Sequence, residues 1–285
     1  FSSLVLFYIA IIFIVTFFSV SSMGQSEAYV QQGEFGVTVG AAHYFGDLNT
    51  WASFNRPKPS FGLFFRKQFS NYIGVRISGR YAQLGYSDRY SKNDFQRTRN
   101  LSFNTNVWEI AAQGDFNFFK FLPNDERYFY TPYVTLGVGA FSYDPYAFIN
   151  GKKEFLRPLG TEGQSVGYDG RKPYSTVALC VPFGVGIKYN LTEKLNLSFE
   201  IAHRFTFTDY LDDVSSTYVG ADKFPATGNG PTAVLLQDRS YEIDPNNIIG
   251  VEGRQRGFAK QKDQYMIVEF GLSFNIGSYK CPTAN

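Results

Sequence analysis

The stretch Asn196–Phe207 reads Asn-Leu-Ser-Phe-Glu-Ile-Ala-His-Arg-Phe-Thr-Phe. Leu197, Phe199, Ile201, Phe205 and Phe207 fall on one side of an extended chain. Asn196, Ser198, Glu200, Ala202, Arg204 and Thr206 fall on the other. A period of two marks a β-strand, whose successive side chains point to opposite faces. The same pattern recurs near Glu34–Phe45, Ser60–Lys67, Tyr72–Ala82, Ser102–Phe118, Pro132–Ser142, Ser175–Tyr189 and Gln264–Ile276, and the quoted stretch belongs to a strand over Lys194–Phe207. The expectation is an all-β fold: an eight-stranded antiparallel barrel.

The connections alternate in length. Those after the second, fourth and sixth strands are short (Gln68–Asn71, Phe119–Thr131, Asn190–Glu193), whereas the others are long, the last running from Thr208 to Asp263. Short turns at one rim, long loops at the other and an even strand number are the pattern of an outer-membrane barrel. Alternation alone does not say which face looks outward, because a soluble lipocalin-like barrel has the apolar face inside. Two features favour the membrane arrangement. The polar face carries Gly36, Gly40, Gly74, Gly137, Gly139, Gly184, Gly186 and Gly271, as a crowded lumen requires. The apolar face carries Tyr81, Trp108, Phe118, Tyr189 and Phe207 near strand ends, where aromatic girdles meet the membrane interface.

With that parity Arg66, Arg76, Arg80, Glu109, Asp115, Lys188, Glu200, Arg204 and Glu269 all point inward. A Lys or Arg facing lipid at the midplane costs roughly 2–4 kcal/mol, so the parity is enforced. An eight-stranded lumen is just wide enough for side chains to fill, and paired Arg–carboxylate contacts across it would make a polar plug. The alternative is a charge-lined conduction path. Pro182, inside the sixth strand, cannot donate to the ladder and predicts a bulge. Cys180 on the same inward face is expected to be a small buried filler.

Leu4–Phe18 is apolar except for Thr16 and is followed by small polar residues to Gly24, which reads as the hydrophobic part of a signal peptide truncated at its start. An uncleaved anchor is the alternative. The expected organisation is a signal peptide over 1–24, a periplasmic segment over 25–32, the barrel over 33–276 and a periplasmic tail over 277–285. Aromatic residues make up 18% of the chain, with 20 Tyr and 30 Phe, and glycine is frequent at 27. These values suit many short strands with Gly-rich turns. A net charge of +2 gives no footprint for nucleic acid, and two Cys are too few for a disulfide framework.

Candidate chemistry is sparse. His43, on the outward parity of the first strand, stands near Asp47, and His203 is outward on the seventh; nothing in the sequence completes a nucleophile–base–orienter set around them. Thr208–Asp213 offers Asp209, Asp212 and Asp213, which could hold Ca²⁺ on a flexible loop or form the acidic first turn of a short helix capped by Thr208 or Asp209; the helix is expected. Cys281, past the last strand beside Lys280, is either an idle thiol or a cross-link to a periplasmic partner. No cofactor, metal or catalytic residue is expected, and the chain reads as non-enzymatic.

Four blocks carry a family resemblance. They are Gly33-Glu34-Phe35-Gly36-Val37 through Tyr44-Phe45-Gly46-Asp47-Leu48-Asn49; Pro158-Leu159-Gly160-Thr161-Glu162-Gly163-Gln164; Pro182-Phe183-Gly184-Val185-Gly186; and Thr208-Asp209-Tyr210-Leu211-Asp212-Asp213-Val214-Ser215. In order and spacing they are similar to the PorG-like outer-membrane barrels, with Thr161–Gln164 and Asp209–Asp213 the most specific and Val219–Lys262 the least matched. The resemblance implies a barrel associated with the type IX protein secretion system that attaches to a periplasmic ring of PorK/PorN-like proteins, with neither catalysis nor a small ligand. Besides outer-membrane lipid, the expected partners are therefore secretion-ring proteins. The parts that could meet them are Gln25–Gln32, the turn Lys120–Tyr130 with Asp125, Glu126 and Arg127, and the tail with Lys280 and Cys281. The alternative is an adhesion or ligand-binding barrel working through the outer loops Asp144–Pro173 and Asp209–Lys262, or, third, a lipid-modifying enzyme at the rim.

Overall fold

The computed structural model describes residues 31–123 and 125–277. The signal segment, most of the predicted N-terminal segment, and the tail with Lys280 and Cys281 lie outside the described residues.

Eight long strands form the wall: β1 (Gln31–Phe45), β2 (Lys58–Gln68), β3 (Ile73–Ser87), β4 (Ser102–Asn117), β5 (Tyr130–Ser142), β8 (Val177–Thr192), β9 (Leu195–Thr206) and β10 (Gln264–Gly277). The remaining two, β6 (Tyr146–Ile149) and β7 (Lys152–Phe155), make a hairpin in the third long loop. The wall runs in the order β3-β2-β1-β10-β9-β8-β5-β4, and β3 pairs with β4 to close it. All these pairings are antiparallel. The seam between the first and last strands runs from Gln31 opposite Gly277 to Phe45 opposite Gln264. Closure leaves no unpaired edge, which a membrane-spanning sheet cannot tolerate.

The predicted strands are all present. β3 climbs five residues past the predicted end at Ala82, and β1 takes in Gln31 and Gln32. The hairpin β6–β7 was not expected. Pro182 makes no bulge: β5 and β8 keep one register from Tyr130 opposite Tyr189 to Ser142 opposite Val177, and the ladder lapses only opposite Gly137 and Val138. A gap of two rungs absorbs the missing N–H without an inserted residue.

Which face looks outward is decided by exposure. Ile110, Val138 and Leu179 are 71, 66 and 61% exposed, whereas Arg66, Arg76 and Arg204 are at most 2% exposed. A charged interior inside an apolar exterior inverts the soluble barrel and fits a wall bathed in lipid. The lumen is crowded enough to need glycine. A Cβ on Gly36 would sit 2.6 Å from the Phe64 ring, and one on Gly186 2.6 Å from the Tyr133 ring.

Above the charged layer the interior turns apolar. Tyr44, Leu84, Phe103, Phe141, Tyr265 and Ile267 from the strands form one core with Leu156, Leu159, Leu211, Val214, Ala233 and Leu236 from the outer loops. The long loops thus fold over the mouth as a cap that shares a hydrophobic core with the barrel.

Candidate functional site: a salt-bridged lumen beneath a folded cap

The strand registers place like charges side by side: Arg66 opposite Arg76, and Glu200 opposite Glu269. Like charges directly opposed on one face repel, so each is drawn to counter-ions, some on the adjoining strand (Glu34 opposite Arg66, Glu109 opposite Arg80) and others across the lumen. Arg66 bonds Glu34 and reaches Asp115 at 2.5 Å. Arg76 grips Glu200 with both terminal nitrogens, at 2.6 and 3.1 Å. Arg80 holds Glu269 in a fork at 2.7 and 3.3 Å and touches Glu109 at 3.3 Å. Arg204 meets Glu109 at 3.2 Å, and Lys188 stands 3.8 Å from Glu34. Forked guanidinium–carboxylate pairs fix geometry as well as charge.

All nine charged residues expected in the lumen therefore join one network. The sequence reading missed the tenth. Glu34 shares the inward parity of Gly36, Thr38 and Gly40, and with it five basic groups (Arg66, Arg76, Arg80, Lys188, Arg204) face five acidic ones (Glu34, Glu109, Asp115, Glu200, Glu269). Two tyrosines complete the shell, Tyr133 donating to Glu200 at 2.7 Å and Tyr265 to Glu109 at 2.6 Å. At the periplasmic mouth Phe121 of the turn after β4 is 2% exposed, its ring 6.0 Å from the Lys188 ammonium. The lumen is plugged from its periplasmic end to the apolar layer.

The two most specific sequence blocks meet in the cap. Thr161 donates to the Asp213 carboxylate, and Tyr174 donates to its other oxygen at 2.7 Å. Glu162 accepts the backbone N–H groups of Ser215 and Ser216 at 2.9 and 3.0 Å and the Arg256 guanidinium at 3.0 Å. Gly163 holds φ +79, and a Cβ there would strike Tyr168 at 2.6 Å; Gln164 accepts the Glu162 N–H at 3.0 Å. Arg256, from the least matched stretch, also donates to the Asp213 and Gln237 carbonyls. Arg99 bonds both Asp88 oxygens at 2.7 Å, the Arg256 carbonyl and the Asp47 carbonyl. Arg99 and Arg256 thus staple four loops together.

Thr208–Asp213 is not helical, contrary to expectation. Asp213 takes φ +65, and each carboxylate is drawn to a separate buried partner. Asp209 accepts from the Ser215 hydroxyl at 2.5 Å, and Asp212 from the Val214 N–H at 2.9 Å and from Tyr44 at 2.5 Å. Long-range bonds outcompete the local helix. Among the described residues, no group of three or more His, Cys, Asp or Glu side chains is arranged to hold a metal.

Acidic groups crowd this layer. The Tyr44 hydroxyl lies between Asp212 and Asp263, at 2.5 and 2.9 Å. Burial, then repulsion from Asp263 and Asp47, raises Asp212 well above the usual carboxylate range, and burial, then repulsion from Asp209 and Asp47, does the same to Asp263. Burial likewise raises Asp47 to about 6 and Asp209 to about 7, and it raises Asp213 to about 6 against the pull of Arg256.

His43 and Asp47 are not brought together as a dyad. The His43 ring stacks on Phe54 at 5.1 Å, with Nε2 2.7 Å from the Ser53 carbonyl, whereas the Asp47 carboxylate accepts the Phe258 N–H at 2.9 Å. His203 bonds Gln264 at 2.6 Å. Cys180 is buried with a free thiol. At the periplasmic turn, Lys120 and Arg127 both lie over the Tyr128 ring, Asp125 pairs with Arg127 at 3.5 Å, and Glu126 is exposed.

The charged plug, the apolar belt and the closed antiparallel wall define an outer-membrane β-barrel with a folded outer cap. The chain belongs to the family described as a domain of unknown function, DUF6089, whose sequence profile matches residues 9–222. No curated protein sequence matches it. Among solved structures it is similar to Neisserial surface protein A (NspA), at 9% identity and a TM-score of 0.42 over 88% of this chain and 100% of that one. A major outer membrane protein from Thermus thermophilus gives 14% and 0.41 over 86% and 99%. Ail of Yersinia pestis, in complex with the heparin analogue sucrose octasulfate, gives 12% and 0.39 over 86% and 99%. No property of these proteins transfers to this chain at such values.

Proposed function

We propose that this protein is a non-enzymatic anchor that organises a periplasmic protein-secretion assembly of the type IX kind, as its PorG-like blocks imply. The observation that carries this reading is the filled interior: ten buried charged groups join one ion-pair network inside the wall, so the surfaces left for a partner are the rims. The periplasmic rim offers a turn whose tip presents Glu126 and Arg127 to solvent while Phe121 fixes its base in the barrel mouth. A turn held at its root is a pre-organised contact, which limits the ordering cost of binding. PorK/PorN-like ring proteins are the proposed partners.

The test is cross-linking of the tagged protein in its native outer membrane, followed by mass spectrometry, alongside a secretion assay of a turn variant. Links through Lys120 to ring proteins, and loss of secretion on replacing Asp125–Arg127, are expected. Links through the outer loops alone, with secretion unaffected by the turn variant, would transfer the role to the cap. That second reading draws on the exposed Trp51, Phe54, Ile248 and Val251 of the outer loops, which suit a surface ligand.

A further inference from the structure

The lipid-facing wall is not uniform. Between β2, β3, β4 and β5 it carries a hollow of about 640 Å³ walled by Phe61, Leu63, Tyr81, Trp108 and Ile110. Its floor is Gly79, where a Cβ would meet nothing within 4 Å. Below it the outward residues of β3 continue as Ile77, Val75 and Ile73, all exposed, so the hollow opens inside the apolar belt. Ile73 to Tyr81 is nine residues, the length a tilted strand needs to cross the hydrocarbon core. Tyr81 and Trp108, opposed in register with ring centroids 4.9 Å apart, mark its upper edge.

Above that edge the same two strands change character. The next outward rungs are Gln83 opposite Asn106 and Gly85 opposite Asn104. Four residues of tilted strand raise the second rung about 10 Å above the aromatic edge, into the headgroup zone. Three cations converge there. Lys58 donates to Asn104 at 2.9 Å. Arg56 lies 3.9 Å over the Tyr90 ring and lines a polar recess of about 370 Å³ with Lys58. Tyr146, the strand partner of Asn104, carries the Lys153 ammonium 3.8 Å over its ring. The acidic groups on the adjoining hairpin segment are Asp144 and Glu154, the latter 3.8 Å from Lys152.

From this juxtaposition we infer a binding site for a phosphorylated lipid of the outer leaflet, its acyl portion in the hollow over Gly79 and its phosphate headgroup among Arg56, Lys58 and Lys153. An apolar hollow within the membrane is filled by lipid chains, and the cations select an anionic headgroup at the matching depth. The site is independent of any role at the periplasmic rim.

The test places the full chain in phosphatidylcholine nanodiscs titrated with diphosphoryl lipid A as the probe, with bound lipid counted by native mass spectrometry. K58Q/K153Q should weaken retention of diphosphoryl lipid A about tenfold, since charge-assisted bonds to phosphate are the strong ones, and leave its dephosphorylated form unchanged. Gly79→Leu, which fills the hollow, should weaken both forms. A heat-modifiable gel shift in each variant separates lost lipid from lost fold. Equal retention by all three proteins overturns the site, as does displacement of the lipid by inorganic phosphate at equal phosphorus concentration, because the hollow would then contribute nothing.

Discussion

Arg256 donates to Glu162 at 3.0 Å although 94 residues separate them, and both side chains are almost wholly buried. The pair joins the third outer loop to the fourth. Removing one partner of a buried ion pair leaves an uncompensated charge and costs about 3–5 kcal/mol. Arg256→Ala should therefore release the cap while the wall stays intact. Limited proteolysis should cut within residues 207–263 much faster in the variant, with the heat-modifiable band unchanged; equal cleavage rates would count against the staple.

The lumen makes a parallel prediction with a different sign structure. Arg80→Met strands Glu269 and weakens the hold on Glu109, and should destabilise the barrel in detergent by about 3–5 kcal/mol. Adding Glu269→Met removes the stranded charge, so the double variant should recover part of that loss. Unfolding midpoints of the four proteins in a double-mutant cycle give the coupling directly; additive losses would show that the two residues do not depend on each other.

Planar-bilayer recordings test the plug. The wild-type protein should give no sustained conductance, since each lumen charge is paired and Phe121 covers the periplasmic mouth. Stable single-channel steps would overturn the plug.

The cap should respond to pH. Burial raises Asp47 and Asp213 to about 6 and Asp209 to about 7, whereas in an unfolded loop they titrate near 4. Between those values the folded cap holds protons that the unfolded loop has released, so its stability falls as pH rises through about 4 to 7 and is fully present below that window. Proteolysis of the fourth loop should be faster at pH 8 than at pH 5 when corrected for protease activity, and Asp209→Asn should flatten the difference. An unchanged rate across the range would remove these carboxylates from the account.

The wall was legible because period two is a local property, readable at each of Arg76, Glu109 and Glu200 without knowing any neighbour. Register was not: nothing local says that Arg76 meets Glu200 across the lumen, 124 residues away. Glu34 went uncounted because it opens the strand expected from the sequence, where ends are least defined; the strand itself begins at Gln31. Thr208–Asp213 misled for a related reason. Its local chemistry favours a helix cap, but Tyr44, Thr161 and Tyr174 compete for the same carboxylates and are contributed from elsewhere in the chain. Arg256 gave no signal at all, since a lone Arg in an irregular stretch shows its worth only after Glu162 and Asp213 have been placed beside it.

The seam between β1 and β10 sets a condition on assembly. The fourteen residues of β10 complete a wall whose first strand lies more than 200 residues earlier in the chain. Until Gln264–Gly277 arrives, β1 and β9 both present raw edges of N–H and C=O groups, and the lumen charges Arg80 and Glu109 lack the partners that Glu269 and Tyr265 supply. A membrane-embedded half-barrel has no water to satisfy those groups. Stable insertion must therefore wait for β10, and a chain cut before Gln264 is left with two open edges that lipid cannot satisfy.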